Sequence, residues 1–142
     1  MKVLLDTNVI LDLLLDREPF SAAASLLLAK AERGEIAGFA CATTITTIYY
    51  LAAKMLGAKI ASSHVQSLLS LLSVAPVNKL VLENAVASKF RDFEDAVLHE
   101  AALLAGVQHI VTRNAADFKN SLIPIHEPEE FLHAFELLAR SE

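Results

Sequence analysis

Lys2-Val3-Leu4-Leu5-Asp6-Thr7-Asn8 opens the chain with an apolar run that stops on a carboxylate and two short polar residues. Val9-Ile10-Leu11-Asp12-Leu13-Leu14-Leu15 then resumes an apolar pattern at helical spacing. A short buried strand leading straight into a helix is how an α/β fold begins. Ligands of such folds sit at the carboxyl edge of the parallel strands. Asp6 falls on that edge, so what joins it there decides the function.

Outward from this stretch the same alternation recurs. The first strand is expected over Lys2–Leu5 and the first helix over Asn8–Leu15, capped by Thr7 or Asn8. Pro19 suits the first turn of a second helix, through Ala22–Ala31, which stops at Gly34. Gly38–Ala42 reads as strand two. Thr43 or Thr44 caps a helix that ends at Gly57, and Ala58–Leu72 reads as another. Val74–Val77 reads as strand three, with Pro76 suggesting an edge. Asn78 caps a helix through Val86, and Asp92 opens the next, ended by Gly106. Val107–Thr112 is strand four, Ala115–Lys119 at most one helical turn, and Leu122–Ile125 a short strand five. A last helix runs from Glu127 to about Ala139. The pattern predicts one domain over residues 1–142: a three-layer α/β/α fold with a central, mostly parallel sheet of four to five strands.

Composition narrows the class. At 142 residues, 54% hydrophobic and 20% charged, the chain has apolar material for a sizeable core or for a core and a covered partner surface, and too little polarity for disorder. The net charge of −5 is not that of a general nucleic-acid binder, so any such activity has to be local. The single cysteine, Cys41, allows no internal disulfide and fits a reducing cytoplasm. Cys41 lies in an apolar strand and reads as an inert core thiol. Asp6 interrupts the N-terminal apolar run too early for a signal peptide. The uncharged stretch Ile36–Ala53 is long enough to raise a membrane question. It divides into a strand and a helix, so no membrane partner is expected. The five histidines show no i, i+4 pair, which argues against zinc.

In a β-α-β unit the crossover helix starts on the edge where the strands end. Asp6 follows strand one. Asp92, Glu94 and Asp95 open the helix before strand four, and Asp117 lies just after it. Asp12, Asp16, Glu32 and Glu35 are expected further round or at the opposite end. Two carboxylates about 4 Å apart repel by roughly 4 kcal/mol at an effective dielectric of 20. Such a cluster calls for a proton or a cation. Oxygen-only ligands suit Mg²⁺ or Mn²⁺, which can activate water and neutralise charge in a phosphodiester displacement.

Three motifs in order carry a resemblance: Leu4-Leu5-Asp6-Thr7-Asn8, Asp92-Phe93-Glu94-Asp95-Ala96, and Ile110-Val111-Thr112-Arg113-Asn114-Ala115-Ala116-Asp117-Phe118. The chain resembles a PIN domain over essentially its whole length. The resemblance implies a parallel sheet between helices and metal-dependent cleavage of RNA, often as the VapC-like toxin of a toxin–antitoxin pair. By position, Asp6, Asp95 and Asp117 match the family's metal-site acids, and Asn8 and Thr112 match polar residues lining the pocket. One position departs. The family usually places a glutamate in the helix after strand two, whereas Thr43 to Tyr50 carries no acid and Tyr49 aligns there. Asp92, three residues before Asp95, can face the same side of the helix start and partly substitute. The departure marks a divergent branch.

Plainer roles compete with these. Asp6 can simply cap the first helix, and Asp92 can cap its own in an Asp-x-x-Asp capping arrangement. Asp95 can answer a helix dipole. Asp117 can cap, or pair with Arg113. Asn114 reads as an N-cap more than a pocket residue, and Thr112 reads equally either way. Glu94 points about 100° from Asp95 and is expected in solvent. At least one of Tyr49 and Tyr50 is expected in the core. Lys54, Lys59, Lys79, Lys89, Arg91 and Arg113 are candidates for a basic rim. The expected function is a metal-dependent endoribonuclease. It would have an RNA substrate, an antitoxin partner, and a homodimer face on the second and third helices and the Ala58–Leu72 helix. The first alternative is a catalytically weak or inactive module that binds RNA or protein. The second is a phosphohydrolase with Asp6 as nucleophile, like haloacid-dehalogenase-like enzymes. Those carry a second aspartate where Asn8 stands.

Overall fold

The computed structural model describes residues 1–141. Five parallel strands form one sheet in the order β3-β2-β1-β4-β5. They are β1 (Lys2–Leu5), β2 (Ala37–Cys41), β3 (Ser73–Ala75), β4 (His109–Val111) and β5 (Ile125–His126). β1 is central, and its Val3, Leu4 and Leu5 are fully buried. A strand covered on both faces must be apolar without interruption, which is how this one reads in sequence.

Seven helices cover the sheet: α1 (Thr7–Leu14), α2 (Ser21–Glu32), α3 (Ala42–Leu56), α4 (Ala58–Leu71), α5 (Lys79–Ala87), α6 (Phe93–Leu104) and α7 (Pro128–Ser141). Side chains alternate across the strands with period two. Val3, Leu5, Ala40 and Val111 pack under α1, α2, α3, α4 and α7. Leu4, Cys41 and Ile110 pack under α5 and α6. The architecture is the expected three-layer α/β/α arrangement, and Cys41 is a buried core thiol. Among the described residues no helix is long and apolar enough to cross a membrane; Ile36–Ala53 divides between β2 and α3.

Gly38 lies where the helices come close to the sheet. A Cβ there would stand 2.6 Å from Leu72 Cδ2 and 3.0 Å from the Ala31 methyl. Only a glycine lets α2 and the end of α4 close onto β2.

Several boundaries move, each for a local reason. Asp6, rather than Thr7 or Asn8, caps α1: its Oδ1 accepts from the Thr7 amide at 2.7 Å, and α1 begins at Thr7. β3 is indeed an edge strand, but it stops before Pro76, which has no amide to offer a ladder. β5 is only Ile125–His126, because Ser121 Oγ bonds the Ile123 amide and carbonyl and holds the preceding residues in a turn. Tyr49 and Tyr50 are both exposed, at 39% and 62%. The buried face of α3 runs through Thr44, Ile48 and Ala52 at intervals of four, which turns both tyrosines outward.

Candidate functional site

β1 ends at the centre of the sheet and delivers Asp6 to its carboxyl edge. The carboxylate is 7% exposed and fully engaged. Its Oδ1 accepts from the Thr7 amide, and its Oδ2 accepts from Thr112 Oγ1 at 2.8 Å and from Asn8 Nδ2 at 3.4 Å. Burial pushes its pKa up. The Thr112 and Thr7 hydrogen bonds oppose that, and the charges of Asp117 and Asp92 reinforce it. Thr112, fully buried just beyond β4, also accepts from the Asn114 amide and from Asn8 Nδ2. Asn8 Oδ1 takes the Arg113 amide. Asn8 and Thr112 thus lock the end of β4 onto the end of β1 around one carboxylate.

α6 brings the second acid. Asp92 is exposed and caps the helix, its Oδ1 accepting from the Asp95 amide at 3.0 Å. The capping role expected for it is what the geometry shows. Asp95, half-buried in the first turn, has its pKa pushed up to about 7. Burial comes first among the causes, followed by the charges of Asp6, Asp92, Asp117 and Glu94. Beyond the effect of burial, four neighbouring acids each push the same way, so the pocket carries a negative field that no cationic side chain among the described residues offsets at Asp95.

Asp6 and Asp95 line one pocket of about 320 Å³ together with Thr7, Asn8, Asn114 and Glu94. Glu94 is exposed as expected, yet it stands on the pocket wall. Asp117 and Asp92 line a second hollow with Arg91, Lys119 and Asn120. Asp117 therefore acts on Asp6 and Asp95 through its charge while facing different solvent. Asn114 makes no side-chain capping bond with the 3₁₀ turn Ala115–Phe118. It lines the pocket instead. α3 presents Thr43, Thr44, Thr47 and Leu51 to the pocket. Tyr49 is not among the lining residues, and Thr44 Oγ1 meets Thr7 Oγ1 at 2.9 Å.

Sequence reasoning missed Asp12 and Arg17. Asp12 is 1% exposed and takes a forked pair of hydrogen bonds from Arg113, at 2.5 and 3.0 Å. Arg113 is thereby withdrawn both from Asp117 and from a general basic rim. Arg17 Nε lies 3.6 Å from the same carboxylate, and its side chain lines the pocket of Asp6 and Asp95. The signal in the sequence was a lone aspartate inside the apolar face of α1.

The donor set, carboxylate, hydroxyl and amide oxygens, fits a hard divalent cation. Among the described residues no three His, Cys, Asp or Glu side chains form a closed cage for one. Asp6 and Asp95 are the carboxylates of this pocket, with Glu94, that would be available to such an ion, and a Mg²⁺ ion held by one or two carboxylates would keep several waters.

A PIN domain family profile matches residues 2–116. No curated protein sequence matches the chain. Solved structures do. A toxin–antitoxin complex from Klebsiella pneumoniae is 22% identical with a TM-score of 0.68, over 89% of this chain and 97% of that one. VapBC-1 from nontypeable Haemophilus influenzae is 15% identical with a TM-score of 0.66, over 91% and 99%. The sarcin-ricin loop cleaving toxin VapC20 of Mycobacterium tuberculosis is 18% identical with a TM-score of 0.61, over 76% and 86%. At these identities the likeness is one of fold.

Proposed function

The chain belongs to the PIN domain family, and from that premise we propose that it is a metal-dependent endoribonuclease in which Asp6 and Asp95 hold Mg²⁺ or Mn²⁺. The observation that carries the reading is Asp95, raised to about 7 in a pocket it shares with a buried second carboxylate. Burial and the neighbouring acids together bring its titration to near neutral pH, and a cation would relieve the part due to charge repulsion. The bound ion would supply Lewis acidity and neutralise charge on the phosphodiester.

The chain's own groups do the rest. Thr112 Oγ1 and the Thr7 amide donate to Asp6, which opposes the effect of burial on its pKa and fixes its orientation. Asn8 fastens the two loops that carry these donors. Asp95 would have to release its proton to hold a cation, which would couple ion binding to pH. Asp117 supports both acids electrostatically from the adjoining hollow, adding negative field that favours the cation.

The test is cleavage of single-stranded RNA with Mg²⁺ or Mn²⁺ by the parent, Asp6→Asn and Asp95→Asn. The parent should cleave, and each variant should lose at least about a hundredfold in rate, since replacing such a group removes several kcal/mol of stabilisation. Equal rates in all three would sink the reading.

We extend two further features to the chain by analogy of fold. The structures it resembles include a toxin–antitoxin complex, and an antitoxin partner fits a chain with this much exposed apolar surface. Tyr50, Met55, Ile60 and Leu69 on α3 and α4 are each about half exposed or more, which suits a homodimer or an antitoxin groove. A second reading, an inactive binding module, is favoured by one observation. α3 faces the pocket with threonines and a leucine where an acid would complete the site. Saturable Mn²⁺ binding that Asp6→Asn abolishes would exclude it.

A further inference from the structure

Among the described residues Arg17 is the only cationic side chain that lines the pocket of Asp6 and Asp95. Its backbone is fixed: the amide donates to the Asp12 carbonyl at 2.9 Å, and the carbonyl accepts from the Phe20 and Ser21 amides where α2 begins. Arg17 also lines a hollow with Leu15, Leu51 and Met55; an arginine can rest its stem on such apolar surface while its charged head takes a separate partner.

The charge count around Asp12 shows that this head is surplus. One buried carboxylate faces two guanidinium groups. Arg113 takes it by a fork of two hydrogen bonds and lies 4.0 Å over the Phe20 ring, so its charge is matched and its plane is stacked. Arg17 has only the longer approach of 3.6 Å, and its buried Nε makes no hydrogen bond. A single negative charge cannot neutralise both, so one positive charge remains on Arg17, whose side chain is 40% exposed. That charge is not spent on the pocket acids either, because Asp12 is its sole ion-pair partner among the described residues.

A pocket with two acids that call for a cation and an unspent guanidinium is matched by an anion that brings several oxygens. A phosphodiester would satisfy both, because its charge would be neutralised by a bound cation and its free oxygens match the guanidinium fork. We propose that Arg17 binds a backbone phosphate of the RNA within the Asp6–Asp95 pocket, and so sets where along the strand the chain engages. The proposal rests on the nuclease reading for the identity of the ligand. It assigns binding, not metal retention, to Arg17.

The experiment separates the two. Binding of a labelled single-stranded RNA is measured in EDTA, across a range of KCl, for the parent, Arg17→Gln and Arg17→Lys. Loss of one phosphate contact should make the slope of log affinity against log salt shallower by about 0.7 and weaken binding roughly tenfold. Arg17→Lys should keep the parental slope at reduced affinity. Mn²⁺ affinity of Arg17→Gln should stay parental or tighten, because a positive charge has left the pocket; a distorted pocket would bind Mn²⁺ more weakly. A parental slope and affinity in Arg17→Gln would overturn the proposal, as would weakened Mn²⁺ binding that accounts for the loss, or a parent that binds no RNA. A parent that binds RNA but does not cleave it with Mn²⁺ would overturn the nuclease reading and leave the Arg17 comparison intact.

Discussion

Asp95 sits at the first turn of α6 with a pKa pushed up to about 7 from an ordinary 3.8. The folded chain therefore holds a proton there that the unfolded chain releases. Between those two values stability falls as pH rises, and the penalty is complete above about 7. Asp95→Asn should then stabilise the metal-free protein at pH 8 by about 1 kcal/mol, the full shift being discounted for exposure, and should do little at low pH. Thermal melts in EDTA at both pH values check this; equal effects at the two would contradict it. Asp12 makes the opposite case. Removing a buried carboxylate that holds one arginine and faces another leaves uncompensated charge, so Asp12→Ala should cost about 3 kcal/mol in denaturant unfolding. Asp6 and Asp95 were legible in sequence because each is tied to the end of a strand or the start of a helix. The link from Asp12 to Arg113 was not, because partners 101 positions apart leave no local pattern.

The loop after β4, which carries Asp117, is held by α6 through one buried histidine. His99 Nε2 accepts from the Leu122 amide at 3.1 Å, so its proton lies on Nδ1, which is buried without a hydrogen-bond partner. Phe90 stacks on the ring, and Phe118 meets Phe90 edge-on. Burial lowers the His99 pKa, and nearby Glu100 opposes that. Since the folded chain resists a proton the unfolded chain accepts, this group costs stability as pH falls below about 6.5. His99→Gln, which keeps an acceptor for Leu122, should flatten that decline relative to the parent; parallel melting curves for the two between pH 5 and 7 would refute the assignment. Gly38→Ala should destabilise by about 1–3 kcal/mol, because its methyl meets Leu72 at 2.6 Å. Helices and strands were readable from period and capping, and the helical phase of α3 could have shown that Thr44 and Thr47, not Tyr49, reach the pocket. The two-residue β5 was beyond periodicity, since a turn built by Ser121 decides where it starts.

At the scale of the whole molecule, a chain of net charge −5 has no generally basic surface, so the proposed RNA cleavage would be confined to one edge of one sheet. The order β3-β2-β1-β4-β5 puts β1 in the middle, with β4 beside it, so Asp6 and Thr112 emerge side by side. Parallel topology followed from strands alternating with helices. The division of the acids between two hollows did not, because it depends on three-dimensional packing at that edge and leaves no periodic trace in the chain. The exposed apolar residues of α3 and α4 predict self-association or a bound partner, and sedimentation of the purified chain as a monomer at high concentration would count against the former. The central claim is that Asp6 and Asp95 together hold one divalent ion. Calorimetric titration with Mn²⁺ at pH 8 and pH 6 addresses it most directly. A saturable site is expected at pH 8, weaker at pH 6 as Asp95 retains its proton, and lost in both Asp6→Asn and Asp95→Asn. A parent with no saturable site, or one that persists undiminished in both variants, would contradict the account.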